Sequence, residues 1–486
     1  MMRALLEYYR CPIESTRLAL QETLSAPPGF FRFGPDITCY GRCTLGEVAR
    51  CPTGNLCDSW EHARVLQDAV QLPFDLTEVV TSLRLEYYRD SSSRAMRSMR
   101  RALRDVYYLL RPFMPLGVRV MAQRAYFCRR ESIAFPRWPL DVTVDRLFQS
   151  VLSLLLQSAP EGRIPFIWFW PDGMSSCAVM THDVETSAGL DCCSALMDID
   201  ESWGIRSSFQ IIPEGRYDVP FSLLSEMKRR GFEVNVHDLN HDGRLFRDRQ
   251  LFLSRARKIN EYAKLYGADG FRAGAMYHKA AWLQDLDISY DMSISNSAQI
   301  EAQRGGCCTV MPFFNGKVLE IPLTTTQDWA LFHVLRENSA ELWKREIRAI
   351  GAEHGLSSFI THPDYLMPKN RQAVYSELLR TLSDLRSSGN LWLAQPGELN
   401  QWWRERAQMT MVRHGNLWTV TGPGSERARV AYAKLVDGKV CYVVGRSASH
   451  WRRIEETTVK INYPLRVHGS SDGVSDVDRK ILTQSS

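Results

Sequence analysis

An imidazole and two carboxylates come close together in the segment "MTHDVETSAGLD", residues 180–191. His182, Asp183 and Glu185 directly follow the apolar runs "PFIWFW" and "CAVM". Charged groups at the end of a buried strand lose hydration, so they normally lie beside a metal ion, an opposite charge or water. We therefore expect a partner for these three side chains elsewhere in the chain.

Two histidines in "GFEVNVHDLNHDG" are candidates for that partner. His237 and His241 are four residues apart, and on a helical turn this spacing places both rings on one face, about 5–6 Å apart at Cβ. With one carboxylate from the earlier segment they form a two-histidine, one-carboxylate set, which leaves metal coordination positions open for water and substrate. The same spacing also occurs between unrelated polar residues on a loop, and this alternative stays open.

Three later segments carry further side chains of interest: "GFRAGAMY" with Arg272 and Tyr277, "TTTQDW" with Asp328 and Trp329, and "SFITHPDY" with His362. Taken singly, each has an ordinary structural explanation. Surface arginines, core tryptophans and histidines at strand ends are common. The interest lies in their order along the chain.

In this order, "THDVE", "HDLNH", "GFRAGAMY", "TTTQDW" and "SFITHPDY" resemble the motifs of the NodB-homology polysaccharide deacetylases, carbohydrate esterase family 4. The resemblance covers about residues 180 to 395. It implies a distorted (β/α) barrel and a metal-dependent hydrolase that removes acetyl groups from amino sugars. Acetate and a free amine would be the products, or acetate and a free hydroxyl if the substrate is an O-acetyl ester.

The resemblance implies a role for each matching residue in the first two motifs. Asp183 resembles the catalytic base, and His237 and His241 resemble the metal imidazoles. The second aspartate of the family would fall on Val184, so Glu185 is the expected metal carboxylate. Two acids separated by one residue point to the same side of an extended segment, which agrees with this assignment.

The remaining motifs imply the other roles. Arg272 resembles the arginine that orients the base and keeps it ionised. Asp328 resembles the aspartate that tunes His362, the expected general acid. Substrate-binding roles are expected for three residues, Trp329, Tyr277 and Asp291, of which Asp291 lies in "DMSISN", where it could equally form a turn.

Several departures from the family pattern keep alternatives open. Val184 stands where an acid is usual, Asp238 replaces the serine or threonine of the second motif, and "RAGAMY" lacks the usual proline. His182 could be a metal ligand instead. The alternatives are a hydrolase of C–N bonds in small non-sugar molecules on the same fold, or a catalytically silent glycan-binding module.

The expected cofactor is a divalent metal ion, with Zn²⁺ first. Co²⁺, Ni²⁺ or Fe²⁺ would suit the same nitrogen and oxygen ligands. The expected partner is an N-acetylated glycan or glycan precursor. Net charge is only +5 over 486 residues, so nucleic acid is not an expected partner.

The elements that must position these residues fall into three regions. Residues 1–165 are predicted to be helix-rich, and residues 401–486, with short β-branched runs such as "KVCYVVG", a small β-sandwich. Between them, in residues 166–400, short apolar runs alternate with helix-capable stretches, which predicts βα units and the barrel, an α/β fold.

Other segments bear on location and on the cysteines. No basic leader precedes a long apolar run, and no stretch of about 18 apolar residues occurs, so a cytoplasmic protein with reduced thiols is expected. Residues 91–111 combine arginines with an apolar stripe and could dock on the barrel or contact a membrane peripherally. Four cysteines could bind metal or be buried thiols: Cys39, Cys43, Cys51 and Cys57.

Overall fold

A computed structural model describes residues 2–91 and 135–445, together with position 121. Within those ranges it leaves out single positions, namely 26, 47, 68, 300, 302 and 416. The arginine-rich segment 91–111 is predicted to dock on the barrel or to contact a membrane. Its residues 92–111 lie outside the described residues. All residues of the two ranges belong to one compact unit, Met1–Arg453.

The amino-terminal region is mixed rather than mainly helical in the part that the structure describes. Its helices are α1 Arg3–Tyr9, α2 Leu76–Arg84 and α3 Thr143–Gln157. Its strands are β1 Leu18–Leu20, β2 Gly29–Arg32, β3 Thr38–Gly41, β4 Arg64–Val65 and β5 Val70–Leu72. The prediction of a helix-rich region is not confirmed, because proline and glycine break the chain into short runs that pair as hairpins, as β2 and β3 do.

The central region forms a nine-stranded sheet. One strand before it, β6 Arg163–Ile167, belongs to another sheet. The nine strands are β7 Ser176–Val184, β8 Ser208–Ile211, β9 Glu233–His237, β10 Gly270–Arg272, β11 Tyr290–Asp291, β12 Phe313–Asn315, β13 Val318–Glu320, β14 Leu356–Thr361 and β15 Leu391–Ala394. Their order is β12-β13-β11-β10-β9-β8-β7-β14, with β15 also on β7, and every pair except β12–β13 is parallel. The sheet curls into a half-barrel.

Helices alternate with these strands along the chain. They are α4 Ser187–Asp191, α5 Cys193–Ser202, α6 Phe221–Arg229, α7 Arg249–Tyr266, α8 Glu341–Ala352, α9 Pro363–Leu366, α10 Lys369–Ser387 and α11 Pro396–Gln408. The caps follow from the sequence: Asp248 accepts from the Leu251 N–H before α7, and Gly267 ends that helix with φ +57°. The prediction of an α/β fold is confirmed, whereas the predicted (β/α) barrel is present as a curled half-barrel sheet.

The sheet has an apolar outer face and a more polar inner one. On β7, Ala178, Met180 and Val184 pack in the same cluster as the surrounding helices, whereas Cys177 and Val179 belong to the other large cluster. Successive side chains of a strand point to opposite faces. Residues 181 and 183 therefore share the inner face of β7, and residue 182 the outer face.

The carboxy-terminal strands do not form a separate β-sandwich in the described residues. They are β16 Thr410–His414, β17 Leu417–Thr421, β18 Val430–Val436 and β19 Lys439–Val444. β16 pairs with β17, whereas β18 lies between β19 and β6. The first four side chains of β18 are buried, so this strand needs cover on both faces, and a hairpin alone cannot supply it.

The described cysteines carry free thiols. Cys39 and Cys43 are buried, and burial raises the pKa of both, whereas Cys51 and Cys57 are exposed. Among the described residues, the groups of side chains placed to hold a metal ion include none of these four. No described helix combines the length and the apolar character that crossing a membrane would require.

Candidate active site

The candidate site lies at the carboxyl end of the parallel strands. Asp183 is the second-to-last residue of β7, and His237 and Arg272 are the last residues of β9 and β10. His362 directly follows β14. Register places Arg272 beside His237 and Thr361 beside His182. Parallel strands end at one edge, so these side chains from distant parts of the sequence meet there.

Glu185, His237 and His241 form a compact group of ligand atoms that lie within 4.8 Å of one another. Glu185 Oε1 is 2.8 Å from His241 Nε2 and 3.6 Å from His237 Nε2. Asp183 Oδ2 is also 3.6 Å from His237 Nε2. Asp183, Glu185 and His362 form a second such group.

The two histidines meet through left-handed backbone rather than through a helix. His237 is the last residue of β9, and Asp238 and His241 in the loop after it have φ +55° and +53°. The ring centroids are 4.9 Å apart. The helical turn predicted from the spacing is therefore wrong, although the two rings do converge.

The loop geometry depends on close packing with the next strand. Asp238 N–H donates to the Arg272 carbonyl at 2.8 Å. Gly274 lies so near that a Cβ there would stand 2.6 Å from Asp238 Oδ2 and 2.9 Å from His241 Cδ2. Asp238, the departure from the family pattern, also accepts from the Leu239 N–H at 2.6 Å. It therefore supports the loop that carries His241.

The hydrogen bond of His237 leaves its Nε2 available to a metal ion. His237 Nδ1 lies 3.1 Å from the Arg272 carbonyl, so this nitrogen donates, and in the neutral form of that tautomer Nε2 carries the lone pair. Nε2 of His237 and Nε2 of His241 are buried and have no aligned hydrogen-bond partner within the described part of the chain, although Glu185 Oε1 lies 2.8 Å from His241 Nε2. Buried polar atoms normally have partners. Two orphaned nitrogens facing a carboxylate fit a divalent metal ion.

Asp183 is held by Arg272. Arg272 Nη1 donates to Asp183 Oδ1 at 2.5 Å and to Thr181 Oγ1 at 2.8 Å, while its Nε donates to the Met292 carbonyl at 3.1 Å. Burial alone would raise the pKa of Asp183, but Arg272 outweighs it, so the pKa lies below the usual aspartate value. The carboxylate is ionised and fixed in direction.

Glu185 shares this electrostatic setting. Burial would raise its pKa, yet the neighbouring His241 and His237 hold the pKa well below the usual glutamate value. His241 itself has a raised pKa, because Glu185 outweighs the effect of burial. An anionic Glu185 between two imidazoles is the charge state that a metal ligand requires.

His362 pairs with Asp328 on the other side of Glu185. His362 Nδ1 is 2.7 Å from Asp328 Oδ1, and the His362 N–H donates to Asp328 Oδ2 at 2.7 Å. Its Nε2 is 3.6 Å from Glu185 Oε1. Burial would lower the pKa of His362, but Asp328 and then Glu185 raise it well above the usual histidine value. The ring is therefore protonated near neutral pH.

His182 faces away from this cluster. Its Nδ1 is 2.7 Å from Thr361 Oγ1 and its Nε2 is 2.9 Å from Asp200 Oδ2, on the outer face of the sheet. The alternative in which His182 is a metal ligand is wrong, because strand alternation turns it away from Asp183 and Glu185. It links β7 to β14 and α5 instead.

The three residues expected to bind substrate lie in different surroundings. Trp329 is half-buried, and its ring is 5.7 Å from that of Tyr365, which stacks on His362. Tyr277 is buried in the cluster between sheet and helices. Asp291 is fully buried and accepts from the Ser293 N–H and hydroxyl at 3.0 and 2.8 Å. It faces away from Arg272, so the structure does not bring it to the site.

Other side chains near the site were not singled out from the sequence. Tyr365 lies three positions after His362 in "THPDY". His333 lies four positions after Trp329, a helical spacing that could have identified it, in the π-helical turn Ala330–Val334. Arg371 has no local signal in the sequence, because it reaches His333 from α10.

Glu301 borders the site as well. Gln327 Nε2 donates to its Oε1 at 2.6 Å, and both residues line a small cavity of about 20 Å³ together with Trp138 from the amino-terminal region. Burial raises the pKa of Glu301 to about 7. The amino-terminal region therefore contributes a wall next to the candidate site.

The similarity of this chain to known proteins lies in its structure and not in its sequence. No protein-family model matches this sequence, and no curated protein matches it. A Mycobacterium smegmatis protein named as a polysaccharide deacetylase is similar in structure, with 16% identity, 52% of this chain and 98% of that chain covered, and a TM-score of 0.40.

Two further structures are similar at the same level. PuuE allantoinase has 12% identity, covers 48% of this chain and 92% of its own, and has a TM-score of 0.39. A family 4 acetyl xylan esterase from Clostridium thermocellum in complex with a cobalt ion has 12% identity and a TM-score of 0.32. The match covers 47% of this chain and 91% of the esterase chain. At these TM-scores the likenesses carry no argument for function, which must come from the residues of the site.

Proposed function

We propose that this protein is a metal-dependent deacetylase that hydrolyses N-acetyl groups of amino sugars in a glycan. One observation carries the proposal. Two buried imidazole nitrogens without an aligned hydrogen-bond partner in the described part of the chain face Glu185, between an ionised Asp183 and a protonated His362. A water-activating centre with a base on one side and an acid on the other is the arrangement that amide hydrolysis needs.

Glu185, His237 and His241 would hold the metal ion. When bound there, a divalent cation lowers the pKa of water and polarises the acetyl carbonyl. The set of two nitrogens and one oxygen suits Zn²⁺, Co²⁺, Ni²⁺ or Fe²⁺. The Arg272 carbonyl fixes the tautomer of His237, and Arg216 Nη2 donates to the His241 carbonyl at 2.8 Å.

Asp183 would act as the general base. It accepts a proton from the attacking water, and Arg272 keeps it ionised and directed toward the cluster. Because Arg272 is itself anchored by Thr181 and by the Met292 carbonyl, the carboxylate cannot turn away from the site. The base is therefore preorganised before substrate binds.

His362 would act as the general acid. The Nδ1 of His362 donates to Asp328, so Nε2 is the nitrogen that can donate a proton into the site. Water adds to the acetyl carbon, the C–N bond breaks, and the nitrogen leaves as an amine with the proton from His362. Asp183 can then return the proton it took to His362 through solvent.

The sugar substrate is the part of the proposal that rests on the ordered motifs between residues 180 and 395. Two other functions remain outcomes of the test. A small non-sugar molecule could carry the scissile C–N bond, or the site could bind glycan without turnover. Both would retain the fold described above.

Acetate release from a panel of N-acetylated oligosaccharides and non-sugar acetamides, with and without a chelator, tests the proposal. We expect release from sugars only, loss of release with chelator, and recovery when Zn²⁺ or Co²⁺ is added back. The exposed histidine variant His62→Ala serves as a control that should match the wild type. Release from the non-sugar amides alone, or glycan binding without release by metal-loaded protein, would replace the proposal with the corresponding alternative.

A further inference from the structure

We propose that an aromatic surface beside His362 leads to an anion-binding guanidinium, Arg371, so that the glycan bound at this site carries a negative charge next to the reacting sugar. The inference deepens the proposed function and rests on it. The surface, which we call the aromatic platform, consists of the rings of Tyr365, Trp329 and His333. Nothing in the reaction itself requires Arg371.

The aromatic platform begins at the expected general acid. The Tyr365 ring stacks on His362 with centroids 4.7 Å apart and an angle of 35°. Trp329 is 5.7 Å from Tyr365, and His333 is 4.3 Å from Trp329 at 32°. All three rings of the platform are half-buried. The ring contacts join the three residues into one aromatic cluster beside His362, and part of each residue is exposed.

Half-exposed rings of this kind suit a sugar. The C–H face of a pyranose ring is apolar, whereas its edge carries hydroxyl groups, so aromatic faces and polar neighbours bind it together. Contiguous apolar side chains with polar neighbours are typical of ligand-binding surfaces. The platform therefore gives a sugar next to the reacting one a surface to stack against.

Arg371 lies at the far end of the platform. Its Nη2 is 3.3 Å from His333 Nε2, its Nη1 donates to the Tyr365 carbonyl at 3.5 Å, and its guanidinium lies over the Phe332 ring at 5.1 Å. Within the described residues, no carboxylate oxygen lies within 4.0 Å of it. By contrast, the similarly half-buried Arg255 pairs with Asp242 at 2.7 Å.

The surrounding charges favour an anion near Arg371. Burial and then Arg371 lower the pKa of His333, so this imidazole is neutral and the guanidinium is the cation of the platform. Helix α10 begins at Lys369 and has no acidic residue in its first turn. The amide groups at this end of α10 add positive partial charge. A ligand carboxylate or phosphate would supply the missing negative charge.

The planar guanidinium indicates the chemistry of the ligand. Arginine binds carboxylate and phosphate through two parallel hydrogen bonds, which a neutral hydroxyl cannot match. Two sources share this chemistry: the carboxylate of a uronic acid and the phosphate of a sugar phosphate. The anionic group belongs to the sugar that lies on the platform, not to the N-acetyl sugar that reacts.

Specificity constants for matched oligosaccharides test the inference. The acidic probe is a tetrasaccharide of alternating N-acetylglucosamine and glucuronic acid, the neutral probe is chitotetraose, and a phosphate probe is N-acetylglucosamine disaccharide 1-phosphate. We expect the wild type to have a kcat/KM at least about tenfold higher for one anionic probe than for the neutral one, the size of a charged hydrogen bond. The probe that gains identifies carboxylate or phosphate.

Arg371→Gln should abolish that ratio, whereas Arg380→Gln, an exposed arginine on the same helix, should keep it. If Arg371→Gln does not fold, Arg371→Lys takes its place and should lower the ratio severalfold, because an ammonium lacks the planar fork that matches both oxygens of a carboxylate or phosphate. A wild-type ratio near one, or an unchanged ratio in the variants, would overturn the inference.

Binding separates this inference from the proposed function. Calorimetry with the Asp183→Asn variant measures affinity without turnover. If no probe is deacetylated but the anionic one binds about tenfold more tightly, and only with Arg371 present, the proposed function fails and the subsite stands. Equal affinity for anionic and neutral probes would overturn the subsite even if acetate is released.

Discussion

At the scale of single residues, the alternation of side chains along β7 determines which polar groups face the site. Asp183 points inward, His182 points outward, and Glu185 returns to the side of the two histidines. The motif order was enough to predict that Asp183, His237, Arg272 and His362 meet, because each lies at or just after the carboxyl end of a strand in one sheet. It could not predict that Asp291 faces away or that Arg371 contacts His333, since both depend on how separate elements pack.

The protonation of His362 makes a prediction about pH and leaving group. Its pKa is raised by Asp328, so the protonated acid persists at neutral pH and is lost only as pH rises through that raised value. Activity should therefore fall on the alkaline side. His362→Ala should lose about 10²–10⁴ in rate on an N-acetyl sugar together with that alkaline limb. Steady-state pH–rate profiles on the amide and on an activated aryl acetate measure both effects.

The aryl acetate is the control in that experiment. Its leaving group needs no proton, so His362→Ala should affect it much less than the amide. Asp328→Asn should move the alkaline limb of the amide reaction to lower pH, because the imidazolium loses its counter-charge. Losses of the same size on both substrates would mean that His362 is a structural residue and not the acid.

The loop after β9 determines the metal geometry at the scale of elements. The sequence suggested a helical turn, but Asp238 and His241 adopt left-handed backbone, which aspartate tolerates better than most residues. Periodicity cannot reveal such a loop, because the strained positions are set by contacts with the segment after β10. The alternation of strands and helices, by contrast, followed directly from apolar runs and caps in residues 166–400.

Gly274→Ala should weaken metal binding without unfolding the chain. The added Cβ would meet Asp238 and His241 at 2.6 and 2.9 Å, so the loop that carries His241 must shift. We expect metal affinity to fall by about 10–100-fold, the usual effect of disturbing the groups behind a metal ligand. Titration of the metal-free protein with Zn²⁺ in a competition assay measures the change.

Gly351→Ala is the matched control. This glycine lies in α8 with nothing within 4 Å of an added Cβ. Alanine should therefore stabilise the helix by about 0.5–1 kcal/mol and leave zinc affinity unchanged. If Gly274→Ala binds zinc as tightly as Gly351→Ala does, the packing of Gly274 does not set the position of His241.

At the scale of the whole molecule, the amino-terminal region and the carboxy-terminal hairpin share a core with the inner side of the sheet. Asp145 on α3 connects three parts: it accepts from Tyr8 of α1 at 3.1 Å, from the Thr309 hydroxyl at 2.7 Å and from the Val310 N–H at 2.9 Å. Composition alone could not predict these contacts, because they join residues far apart in sequence.

Asp145 makes stability depend on pH. Burial raises its pKa to about 7, so the folded state favours the neutral carboxyl. For a raised acid, the stabilisation is complete below the ordinary value near 4 and is lost as pH rises toward 7, by at most ~1.4 kcal/mol per pH unit. Urea midpoints should therefore fall between pH 5 and pH 8, and fall less in Asp145→Asn.

An exposed aspartate gives the comparison for that measurement. Asp437 occupies the β18–β19 turn with φ +51°, a conformation that asparagine also accepts. Asp437→Asn should reproduce the pH dependence of the wild type. A wild-type slope retained in Asp145→Asn would show that other buried acids, such as Glu346 with a pKa raised to about 7, account for the whole effect.

The central claim is that Asp183 is the general base and Glu185 is the metal ligand. The metal content of one variant at each position tests this claim most directly. Asp183→Asn should keep one zinc ion per chain and lose about 10²–10⁴ in rate. Glu185→Gln should lose the zinc, since its Oε1 lies near both histidines, 2.8 Å from His241 Nε2 and 3.6 Å from His237 Nε2. Elemental analysis of the purified variants gives the answer. Zinc retained in Glu185→Gln but lost in Asp183→Asn would contradict the assignment of ligand and base.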